Sequence, residues 1–96
     1  MTAYWISIYK EISDEAKVAA YAEIAGPALR DAGGTYVARG LPEATYESGE
    51  MTRTVVIAFE SVEAAQAAHE TAAYQDALVA LDGGAVRDMR IVPGVD

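Results

Sequence analysis

From Ala3 to Lys10 bulky residues alternate along the chain, with Tyr4, Ile6 and Ile8 on one side and Trp5, Ser7 and Tyr9 on the other. A period of two with β-branched and aromatic enrichment predicts a strand. Both sides carry large apolar groups, so neither is suited to water. The period then lengthens. Val18, Tyr21, Ala22, Ala25, Ala28, Leu29 and Ala32 recur at helical spacing behind Ser13 and Asp14, which offer a cap and negative charge at the positive end of a helix. Gly26-Pro27 lies inside this stretch and predicts a kink, because proline removes a backbone hydrogen bond. Gly33-Gly34 stops the helix.

Thr35 to Arg39 reads as a second strand, and an excursion marked by Gly40, Pro42 and Gly49 follows, with Ala44 to Glu47 as a short strand inside it. Thr52 to Phe59 is the clearest strand of the chain. Ser61 caps an alanine-rich helix that runs to Leu81, with a pause near Thr71–Ala73, and Ala85 to Val92 is the last strand. The order β-α-β-β-α-β predicts a single α+β domain over residues 1–96, a ferredoxin-like sandwich with two helices on one face of a four-stranded antiparallel sheet. The opposite face then carries either Trp5 and Tyr9 or Tyr4, Ile6 and Ile8. Left in water, either set would form the kind of apolar patch that marks an interface. Two such sheets stacked face to face make a dimeric α+β barrel, so a homodimer is expected.

Composition narrows the partners. The 96 residues are 52% hydrophobic, much for a domain whose size allows only a thin core, which again points to a second copy. Fifteen acidic residues stand against seven basic ones, a net charge of −8, which disfavours nucleic acid and anionic membrane surfaces. Without cysteine there is no disulfide, thiolate chemistry or Cys-based metal site. The N-terminus lacks a basic region and no apolar run reaches the length of a membrane span, so a cytoplasmic protein is expected.

Candidate chemistry is sparse. His69 is the sole histidine and there is no asparagine, no serine elbow and no phosphate loop after a strand. With one histidine and no helical ligand pairing, neither a metal site nor a cofactor is expected. Val62, Ala65, His69 and Ala72 share a helical stripe, which turns the imidazole towards the sheet. There it is a packed, hydrogen-bonded histidine or, alternatively, a general base, since it titrates near neutrality. Arg39 and Arg53 lie in or beside apolar strands; each would pair with a carboxylate such as Glu47 or anchor an anionic ligand. The tyrosines Tyr4, Tyr9, Tyr21, Tyr36, Tyr46 and Tyr74 are core or interface residues, one or two of which line a pocket.

Tyr21, Ala25-Gly26-Pro27-Ala28, Gly33-Gly34, Arg39-Gly40, Val55-Val56-Ile57 with Phe59, Ala64-Ala65, Tyr74-Gln75 and Gly94 together resemble the bacterial family called domain of unknown function 1330. The resemblance spans Tyr4-Trp5 to Val95 and implies a dimeric α+β barrel with a ferredoxin-like protomer; it brings no established activity. The chain departs from the family pattern at Leu41, where a second glycine is usual, and at His69, where an aromatic residue is typical. Leu81 stands where arginine is frequent, and Thr71-Ala72-Ala73-Tyr74 replaces Ser-Pro-Glu-Tyr. Arg39 keeps its match. The expected function is the binding of a small anionic or aromatic organic molecule in a cavity bordered by Arg39 and by some of Trp5, Tyr9, His69 and Tyr74. The alternatives are a cofactor-independent monooxygenase or isomerase of this barrel class, with His69 or a tyrosine as base, and a purely structural interaction domain.

Overall fold

The computed structural model describes residues 1–95. Seven elements follow one another: β1 (Ala3–Ile12), α1 (Glu15–Asp31), β2 (Thr35–Gly40), β3 (Thr54–Phe59), α2 (Val62–His69), α3 (Ala72–Leu81) and β4 (Ala85–Pro93). The strands form one sheet in the order β2-β3-β1-β4, every neighbouring pair antiparallel. This is the ferredoxin-like arrangement, with β1 and β3 central.

Local chemistry sets the boundaries. Asp14 caps α1, its carboxylate accepting from the Ala16 and Lys17 amides at 3.0 and 3.2 Å. α1 then continues through Pro27 to Asp31. The pause expected near Thr71–Ala73 is a division into two helices. Thr71 caps α3 by accepting from the Tyr74 amide, while its hydroxyl donates to the Ala68 carbonyl at the end of α2. The short strand expected over Ala44–Glu47 does not form. Ala44–Tyr46 is irregular and leads into a turn at Glu47-Ser48, with Glu47 at φ 54° and the Gly49 amide bonding back to the Tyr46 carbonyl. Gly34, between α1 and β2, is required by close approach: a Cβ there would lie 2.8 Å from the Leu29 carbonyl oxygen and from the Phe59 ring.

The sheet resolves which side of β1 faces the helices. Ala3, Trp5, Ser7 and Tyr9 are buried under α1–α3, together with Val55, Ile57 and Phe59 of β3. Tyr4, Ile6 and Ile8 lie on the other face beside Thr54, Val56 and Ala58, all half-buried. No helix covers them, so one sheet face remains an apolar surface whose only ion pair is Arg90–Asp88 among the described residues.

Candidate functional site

Antiparallel register places the helix-facing side chains in rows across the sheet. Tyr36, Ile57, Trp5 and Ile91 form one row, and Arg39, Val55, Ser7 and Met89 the next. In the third, Tyr9 lies between Arg87 of β4 and Arg53, whose carbonyl accepts the Tyr9 amide at 2.9 Å. The centre of this array is Ser7, a small residue between two large aromatics on the central strand. Opposite it α1 presents Ala22 and Ala25. Small faces small, and the packing leaves a cleft of about 30 Å³.

The lining of the cleft is unusual for its charge. Arg39, Arg53 and Arg87 all border it, and among the described residues no carboxylate does. Among the described residues the ion pairs are Lys17–Asp82, His69–Glu70 and Arg90–Asp88, so none of these three guanidiniums has an acidic partner. The pairing of Arg39 or Arg53 with Glu47 that the sequence suggested does not form. Aromatic faces take the place of carboxylates. The Arg87 guanidinium lies 4.6 Å from the centre of the Tyr21 ring and 5.6 Å from that of Tyr9, which Arg53 approaches to 5.8 Å. Tyr36 has Arg30 at 4.8 Å and Arg39 at 5.3 Å. Such contacts hold guanidiniums in place without neutralising them. Two polar atoms of lining residues, Ser7 Oγ and Arg53 Nε, are buried without a hydrogen-bond partner among the described residues. Exposed Ala22 and Arg39 mark the mouth, between α1 and β2.

Of the five residues singled out from the sequence, Trp5, Tyr9 and Arg39 line this cleft. Tyr74 stands behind it. Fully buried, it meets Trp5 edge-on at 5.1 Å and shares a 2.9 Å hydrogen bond with the Tyr21 hydroxyl. His69 is elsewhere. Its ring lies 5.8 Å from Trp5 and does not border the cleft; it is half-exposed, with Nδ1 2.6 Å from Glu70 Oε2. It borders a separate, more open recess of about 220 Å³ with Trp5, Met89, Arg90 and Ile91. Burial pushes the Tyr74 hydroxyl well above its ordinary value, reinforced by Tyr21, and burial likewise raises that of Tyr36 against the pull of Arg30 and Arg39. Both are neutral hydrogen-bonding groups at physiological pH.

Sequence reasoning did not single out Ser7 or Arg87. Their signal was present in the alternation: Ser7 shares a face with Trp5 and Tyr9, and Arg87 shares one with Met89 and Ile91.

Comparison with known proteins agrees with this architecture. A family model described as domain of unknown function (DUF1330) matches residues 2–95. No curated protein matches in sequence. Among solved structures, a protein of unknown function from Rhodopseudomonas palustris superposes with a TM-score of 0.67 at 20% identity, over 95% of this chain and 78% of that one. A proposed antibiotic biosynthesis monooxygenase from Nitrosomonas europaea gives 0.65 at 14% identity over the whole of both chains. A cofactor-independent oxygenase from Streptomyces nogalater gives 0.64 at 8% identity, over 99% of this chain and 93% of that one. At these identities the likeness is one of fold.

Proposed function

The chain belongs to the DUF1330 family, and we propose that it is a homodimeric binding protein, acting in the cytoplasm, that holds a small organic anion in the cleft between its sheet and α1. The observation that carries this reading is the convergence of Arg39, Arg53 and Arg87 on a cleft lined by no carboxylate among the described residues. A guanidinium is always charged at physiological pH, and Arg53 and Arg87 are partly buried, where a cation without a counter-ion is costly unless something else supplies the negative charge. On a chain of net charge −8, three of the seven basic residues border this one site. The homodimer is supported by the uncovered face of Tyr4, Ile6, Ile8 and Val56 and by the high apolar content.

Catalysis of the cofactor-independent oxygenase kind would need a base in the cleft. Of the bases the sequence offered, His69 lies outside it and tyrosines line it, but three guanidiniums dominate the lining, so binding is the better-supported reading. A purely structural domain accounts for the aromatic contacts of these arginines but not for their convergence on one cleft.

Thermal unfolding in the presence of small organic anions tests the proposal. Benzoate at ten times its Kd should stabilise the protein by about 1.4 kcal/mol, a rise of several degrees in Tm. In Arg39→Ala, which removes the charge at the mouth, the same concentration should give a clearly smaller rise. An unchanged Tm with every anion tried would refute the reading.

A further inference from the structure

The buried lining of the cleft has its own chemistry, distinct from the charge around its mouth. Ser7 is 3% exposed, and neither its hydroxyl nor Arg53 Nε has a partner among the described residues. Buried polar atoms in native proteins are nearly always paired, so two orphans in one cleft call for a group that would pair them. Ser7 lies opposite Val55, and Arg53 is two residues before Val55 on the same face, so the two are diagonal neighbours across β1 and β3. At the usual diagonal spacing of about 7–8 Å a long side chain reaches its neighbour's surroundings.

Resting on the binding reading above, we propose that Ser7 Oγ–H and Arg53 Nε–H form a seat for the carboxylate of a small planar monocarboxylic acid. The aromatic or enolic body of the acid would lie against Tyr36 and Tyr9 towards the mouth. Two donors suit the two oxygens of one carboxylate. The space of about 30 Å³ is small, and of the two head groups the flat carboxylate is smaller than a tetrahedral phosphate. Arg87, held against Tyr21, supplies fixed positive charge at the side. The residual wall is apolar, from Ala25, Val55 and Ile57, which suits a hydrocarbon ring better than a sugar.

Titration calorimetry with benzoate, benzamide and phenyl phosphate on the parent, Ser7→Ala and Arg53→Lys tests the seat. The parent should bind benzoate, bind benzamide at least tenfold more weakly for want of charge, and bind phenyl phosphate more weakly than benzoate. Ser7→Ala should weaken benzoate about tenfold while its unliganded Tm stays equal or rises, because the hydroxyl has no partner to lose. Arg53→Lys keeps the charge but not the fixed Nε donor, and should also weaken benzoate about tenfold. Phenyl phosphate binding as tightly as benzoate, or benzoate binding unchanged in both variants, would overturn the carboxylate seat and leave the anion-binding reading standing. If none of the three probes binds, both fall. A lowered Tm with unchanged benzoate affinity in Ser7→Ala would make Ser7 a structural residue and overturn its role.

Discussion

Tyr74 ties the interior of the molecule to the back of the cleft. Its ring packs against Trp5, and its hydroxyl meets that of Tyr21, whose ring in turn supports Arg87. Removing the hydroxyl in Tyr74→Phe should cost about 0.5–1.5 kcal/mol, the usual net worth of such a bond. It should also change the response to alkali. Burial raises the pKa of Tyr74 in the folded protein, so above pH about 10 an unfolded chain releases a proton that the folded one keeps. The stability contributed is therefore complete below about pH 10 and is lost as pH rises beyond it. Urea unfolding between pH 8 and 11.5 should show a decline in the parent that is shallower in Tyr74→Phe; parallel declines would contradict the burial argument. That Tyr74 is a core or interface residue was legible in the sequence. Its pairing with Tyr21 was not, because that contact joins α1 to α3 and no local spacing encodes it. His69 shows the opposite limit. Its helical phase turns it towards Trp5, but it borders the recess with Met89 and Ile91 and not the cleft that Arg39, Arg53 and Arg87 line.

Strand β1 carries the tension between fold and assembly. Its alternation was plain in the sequence, yet two bulky faces left open which one the helices cover. The helices take Trp5 and Tyr9, and Tyr4, Ile6 and Ile8 remain on the bare face. An apolar strand face uncovered over the centre of a sheet is suited to a second sheet, and the interface expected is of obligate type, on the order of 2,000 Å² or more. Sedimentation equilibrium at micromolar concentration should give twice the chain mass for the parent. An Ile6→Asp, Ile8→Asp double variant should be monomeric or unfolded, since it places two charges on that face. A folded parent monomer would contradict the proposed homodimer. The edges of the other elements were legible because capping residues and glycines mark them: Asp14, Ser61 and Thr71 each cap the helix that follows. The excursion over residues 41–53 was not, since Ala44–Glu47 offers strand-forming residues but no neighbouring strand to pair with.

At the scale of the whole molecule, an acidic chain gathers three of its five arginines around one cleft. Their convergence arises from register alone. Arg39, Arg53 and Arg87 are far apart in sequence, and each comes to the helix-facing side because strand order and pairing put it there. Composition records only the sum of charges, which would have argued against an anion. The field near the cleft and the net charge of −8 thus act in opposite senses, and at short range the local one prevails because charge interactions between exposed groups are screened within about 8–10 Å. The most direct measurement of the binding claim is a nuclear magnetic resonance titration with benzoate that follows the arginine Nε–H and backbone amide signals. Saturable shifts at the Arg53 Nε–H and the Ser7 amide, with one common Kd, are the result expected. Shifts confined to His69, Ile91 and the recess beside them, or no saturable shift at all, would contradict it.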